Sequence, residues 1–287
     1  MSWSPASSRK DLEAGLRHVG GQLDEEIDLA QTALLLAALD RPRVSLDRFR
    51  HHLNVLADDT ARIFEDRGQD DNLPVRIDTL NAVIYGRHEY QGDSLNYDDL
   101  QNANLMSVID RQRGLPVALG ILYMHCARSQ GWQIEGLNFP GHFLLRMDAG
   151  DAGDERAIID PFHGGVQRNT AELRAMLKAI CGADAELRPE YTRPVPNRMI
   201  LKRLQDNIKV RLLRDHHPKE ALEIVETMLM FAPADADLWR EAGILHADQG
   251  NLRAAILSLE QCLSLNNAPN ARHEAATLLQ QIQNHLN

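Results

Sequence analysis

The chain has 287 residues, 44% of them apolar and 25% charged, with a formal net charge of −10. These proportions describe a globular protein with ample core material, enough for one large domain or two ordinary ones. An acidic balance with no long basic run argues against attachment to nucleic acid or to an anionic membrane surface.

No segment reaches the ~18–20 apolar residues of a membrane span, and "MSWSPASSRKDLEAG" lacks the apolar core of a secretion signal. The three cysteines, Cys126, Cys181 and Cys262, lie far apart with no CxxC pairing. That spacing fits a reducing compartment better than a disulfide scaffold, so a cytoplasmic protein is expected.

In chain order, residues 1–10 read as a flexible tail. Asp11 to Leu39 has a helical pattern that Pro42 breaks. "SLDRFRHHLNVLADDTARIFEDR" predicts a second helix, with Ser45 able to cap its start and Leu46, Phe49, Leu53 and Leu56 at helical spacing. A third is expected near "PVRIDTLNAVIYGRHEY", and "QGDSLNYDDLQNANL" is loop-rich. A helix follows over roughly Leu115–Gln130, ended by Gly131. "IEGLNF", "HFLLRM" and "RAIIDPF" then predict short antiparallel strands, with "DAGDAGDE" as a hairpin loop between the last two. "TAELRAMLKAICG" starts another helix at Asn169 or Thr170. The three prolines of "RPEYTRPVPNR" mark a connection.

From Met199 onward the pattern is helical and repeats. Ala221 pairs with Ala255 and Pro233 with Asn267 at an offset of 34 residues, the period of the tetratricopeptide unit. Gln205, Leu212, Ala221, Val225 and Pro233 mark a first copy. Trp239, Ala242, Gly243, Ala255 and Leu259 mark a second. Gln205 stands where Trp is usual, so the first copy is degenerate, and "PNARHEAATLLQQIQNHL" reads as a closing helix. The expected domains are therefore 11–190, a Pro-rich linker at 191–198, and helical repeats over 199–287.

The middle of the chain holds Cys126, His142 and Asp160 in that order, which poses the question of a catalytic triad. A nucleophilic thiol belongs at the first turn of a helix, where the dipole favours thiolate. Cys126 lies about ten residues into its helix, ~15 Å from that end, in the buried-looking run "ILYMHCARS", and reads as a small core hydrophobe. The first turn carries Pro116, which has neither a nucleophile nor a proton to give.

"GLPVALGILYMHCARSQGW", "GLNFPGHFLLR" and "IIDPFHGG" resemble the transglutaminase-like domain of the bacterial SirB-type family, which also carries tetratricopeptide-like helices behind that domain. The resemblance implies an α+β fold: a mostly helical, papain-like N-terminal domain with a small antiparallel sheet, then an all-α repeat domain. In that superfamily a helix begins with Cys, with Arg twelve and Gly fifteen residues on. Arg128 and Gly131 fit those places, which puts Pro116 in the nucleophile position. His142 and Asp160 match the family's other two partners.

Two partners without the third predict a retained pair that ties buried polar groups together or lines a pocket. Arg113, Asn138, His142, Asp160 and His163 are the pocket candidates. The "RQRG" cluster that includes Arg113 could hold a carboxylate or phosphate near the helix start, although such arginines more often form surface ion pairs. The adjacent histidines of "RFRHHLN" and "RDHHPKE" point in different directions on a helix. His142, Asp160 and His163 make a three-ligand set only if the strands bring them together, and a histidine orienting on a carboxylate is the commoner outcome. Neither a metal nor a cofactor is expected, and the nucleotide-binding fingerprints are absent.

The functional expectation is a non-catalytic interaction or regulatory protein with a protein or peptide partner and room for a small-molecule ligand. The alternative is a hydrolase or acyl transferase using Ser107, Cys126 or an activated water.

Overall fold

A computed structural model describes residues 8–68, 71–150, 155–265 and 269–286. Its helices are α1 (Arg9–Gly20), α2 (Leu29–Asp40), α3 (Asp47–Asp66), α4 (Leu73–Asn81), α5 (Leu105–Arg111), α6 (Pro116–Ser129), α7 (Thr170–Cys181), α8 (Asn197–Arg214), α9 (Pro218–Phe231), α10 (Ala236–Asp248), α11 (Leu252–Leu265) and α12 (Pro269–Leu286). Its strands are β1 (Gln91–Gly92), β2 (Arg113–Gly114), β3 (Ile134–Leu137), β4 (Leu145–Asp148), β5 (Arg156–Asp160), β6 (Val166–Gln167) and β7 (Pro194–Val195).

The chain divides into two compact units. One is built on Asp24–Leu204, the other on Lys10–Leu23 with Gln205–Asn287. The division falls inside α8, because the helix started by Asn197 continues through Met199 without a break. The Pro-rich stretch expected to be a connection holds β7, whose Pro194 and Val195 pair with Leu137 and Gly136. Proline is tolerated there because β7 is an edge strand.

In the first unit α6 is buried from Pro116 to Met124 and again at Cys126 and Ala127. Helices that are apolar all round occupy a core, and this one lies between α3 and a sheet of order β6-β5-β4-β3-β7, antiparallel throughout. Side chains alternate across a strand. Phe143 and Leu145 therefore meet α6, where both approach Gly120. Leu144 joins Leu137, Phe139, Leu173 and Leu177 in the cluster under α7. Asn169 starts α7 with a capping box shared with Glu172, which satisfies amides the first turn cannot pair internally.

The predicted helix over Asp11–Leu39 is two helices. Gly20 and Gly21 end α1, a turn at Asp24–Glu26 intervenes, and the Asp28 side chain caps α2. Glycine's low helix propensity and a good N-cap make the break. The predicted third helix is α4 followed by a π-helical turn, Ala82–Arg87. Ser45 accepts a hydrogen bond from the Asp47 amide at 3.2 Å at the start of α3. Gly131, with φ +74°, follows α6 as its left-handed terminator. Of the expected tail, residues 1–7 lie outside the described residues, and α1 already begins at Arg9. Half of the expected "DAGDAGDE" loop, residues 151–154, lies outside them too, although the β4–β5 pairing on either side is present.

In the second unit the helices follow the 34-residue offset. Gly243 on α10 lets α11 come close: a Cβ there would stand 2.7 Å from Leu259 Cγ. Ala255, Leu259 and Cys262 of α11 share a core cluster with Ala275 and Ile282 of α12. Lys209 bridges Asp206 and Glu241 at 2.7 Å each, and Trp239 Nε1 donates to the Pro233 carbonyl at 2.8 Å. Asn267 lies outside the described residues.

Candidate functional site

Asp160 ends β5 with its side chain fully buried. A lone carboxylate there would be costly, so its surroundings must compensate it. Five donors do so. His142 Nε2 reaches Oδ1 at 2.9 Å, and the Phe162 amide reaches the same oxygen at 3.2 Å. His163 Nδ1 reaches Oδ2 at 2.8 Å, and Arg168 reaches it through Nε at 3.2 Å and Nη2 at 2.9 Å. Burial opposes the charge, but the hydrogen bonds and charges of His142 and His163 outweigh it and hold the Asp160 carboxyl well below the usual carboxylate range.

The local chain explains the convergence. Asp160 caps a short 3-10 turn, Pro161–His163, that carries His163 back onto its own carboxylate. Gly164 and Gly165, with φ +72° and +71°, reverse the chain into β6, whose pairing with β5 returns Arg168 to the same end. Asn81 closes on this turn. Its Nδ2 donates to the Gly165 carbonyl at 3.2 Å, and its Oδ1 occupies the place a Gly165 side chain would need. Tyr123 of α6 donates to that same Oδ1 at 3.0 Å, and Tyr85, in the π-helical turn, donates to the Pro161 carbonyl at 2.7 Å. π-helical turns often re-aim side chains at functional places, and Tyr85 is one so aimed.

His142 is held by its neighbour. Phe143 fits between two glycines: a Cβ at Gly120 would stand 2.5 Å from its ring, and one at Gly136 2.7 Å. Arg203 donates to the His142 carbonyl. Phe162 lies edge-on to both His142 and His163, and Tyr97 in turn lies edge-on to Phe162.

No thiol belongs to this cluster among the described residues. Pro116 is the first residue of α6 and buried. It lies one turn before Gly120, hence on the face that meets Phe143. Cys126 lies ten residues further on, on a different face, beside Thr60 of α3. Burial pushes its thiol up to about 12. The remaining nucleophile candidate, Ser107, is in the first turn of α5, its amide bonded to Asn104 Oδ1 at 3.0 Å.

The other pocket candidates stand apart from the carboxylate's partners. Arg113 is exposed on β2 and bears on Asp93. Asn138 is exposed, its amide bonded to the Arg193 carbonyl at 3.0 Å. Sequence reasoning missed Arg168, Asn81 and Tyr85. "FHGG" carried a signal for Arg168, since paired glycines after a strand make a tight return. Asn81 and Tyr85 carried none.

Residues 47–206 match the family model described as transglutaminase-like superfamily, and 208–283 match a tetratricopeptide repeat model. A UPF0162 protein of Xylella fastidiosa (strain Temecula1) is 26% identical over 84% of this chain and 85% of its own. A UPF0162 protein of Vibrio cholerae is 27% identical over 78% and 82%. F-box only protein 21 of Homo sapiens is 32% identical, but over only 35% of this chain and 17% of its own. The matched region beginning in α3 and running through the Asp160 cluster into α8 is thus placed by more than its helix pattern: the chain belongs to the transglutaminase-like superfamily, with tetratricopeptide repeats behind that domain.

Proposed function

We propose that this protein is a non-catalytic interaction or regulatory protein that keeps the transglutaminase-like scaffold without its nucleophile. The observation that carries the reading is Pro116 at the first turn of α6, where the superfamily resemblance puts a cysteine. A pyrrolidine ring cannot attack a carbonyl, and the thiol in the same helix is buried, with its pKa pushed up to about 12. The thiolate is the reactive form, so Cys126 is inert at neutral pH. His142 and Asp160 then act as a structural tie or as one wall of a binding pocket. The repeats supply the surface for a protein or peptide partner, and the cytoplasm is the proposed compartment.

Pro116→Cys tests the assignment of the slot. A thiol placed there should be alkylated faster than Cys126 at pH 7, and the rate should fall when His142 is also replaced by Ala. His142-dependent turnover of an amide or ester by the unaltered chain would overturn the non-catalytic reading.

A further inference from the structure

We infer that His142, Asp160 and His163 form a binding site for one divalent transition metal of the zinc class. Their donor atoms all lie within 4.8 Å of one another. Two imidazole nitrogens and a carboxylate oxygen suit zinc, and three protein ligands with an open fourth position are a usual zinc complement. Each ligand comes from a fixed element: His142 beside the wedged Phe143, Asp160 at the end of β5, and His163 on the 3-10 turn. An outer partner is in place as well. The Phe162 amide orients the carboxylate, and such a contact fixes a ligand before the metal arrives.

Arg168 is the metal's competitor, because it supplies a positive charge to Oδ2. Glu172 lies 3.8 Å from Arg168 Nη1, so the guanidinium has a second anion to turn to when the metal takes the carboxylate. In the metal-free protein the two rings face Asp160 through nitrogen and donate protons to it. For a metal to bind through those nitrogens, each neutral ring must carry its proton on the far nitrogen instead. The inference stands on this cluster alone and is independent of whether the protein is catalytic.

The test uses the full chain, free of any affinity tag and stripped with a chelator, titrated with cobalt(II) as a spectroscopic stand-in for zinc. The expected result is one equivalent bound, with the visible d–d absorption of a four-coordinate site. The absorption is lost in His163→Ala, whose side chain is half exposed and whose removal leaves the core intact. Arg168→Gln, with the competing charge gone, should bind about tenfold more tightly. The inference is overturned by the absence of d–d absorption, by a band that survives His163→Ala, or by weaker binding in Arg168→Gln.

Discussion

Replacing Asp160 with Asn exchanges one oxygen for an amide and removes the charge on which five donors converge. Asn keeps one acceptor, so either the His142 side or the His163–Arg168 side of the group must face N–H against N–H. Breaking a buried ion pair by removing one partner costs about 3–5 kcal/mol. Here Arg168 is 20% exposed and has Glu172 nearby, which lowers the figure to about 2–4 kcal/mol. For a chain of this size that corresponds to a fall in Tm of roughly 3–7 °C.

The assay is urea unfolding of the two proteins in chelator at a series of pH values. The folded carboxyl titrates below its unfolded value of about 3.9, so its contribution is fully present above that value and fades as pH falls further. The gap between wild type and Asp160→Asn should be constant from pH 7 to about 5 and narrow below about 4. Equal stability at pH 7, or a gap that acid leaves unchanged, would refute the assignment of Asp160 as the charged anchor of this region.

Gly165→Ala forces a side chain into a φ of +71° and onto Asn81 Oδ1. It should destabilise by about 2–4 kcal/mol, measured by the same urea titration, whereas Gly164→Ala meets no neighbour and should cost distinctly less. Gly120→Ala should cost about 1–3 kcal/mol by displacing Phe143, and should shift the His142 ring resonances in NMR. His52, whose ring bonds to the Tyr90 hydroxyl at 2.7 Å, has its pKa lowered to about 4 by burial and by neighbouring His88. NMR should show it neutral at pH 6. Its folded pKa lies below the unfolded 6.5, so it costs stability progressively as pH falls from that value toward 4, and His52→Gln should flatten that part of the acid profile.

Much of the fold was legible because single residues carried unambiguous physics. Pro116 marked the start of α6 and Gly131 its end, and α7 was read to start at Asn169 or Thr170, where Asn169 forms the capping box. The repeats were legible through small residues at fixed offset, and Gly243 against Leu259 is such a close approach. The site was legible only in part. His142, Asp160 and His163 were grouped as pocket candidates because "GHF" and "DPFH" flank strands that had to pair, His142 ahead of β4 and Asp160 at the end of β5. The support behind them was hidden. Tyr85 reaches Pro161 across 76 residues and Asn81 reaches Gly165 across 84, and no local period encodes such pairs. The π-helical turn that aims Tyr85 has the same apolar spacing as an ordinary helix end, so the sequence read it as one. Pro194 was misleading in the opposite sense, since a proline that ends helices is also admissible on a sheet edge.

The most direct measurement of the central claim is the rate at which the native thiols of Cys181→Ser are alkylated at pH 7. Cys181 is the exposed thiol, and Cys126 and Cys262 are buried, so with Cys181 gone the two remaining groups should react only as fast as the protein opens. Rapid alkylation of Cys126 that slows when His142 is replaced by Ala would instead put a thiolate against the imidazole, and would contradict a scaffold that has lost its nucleophile.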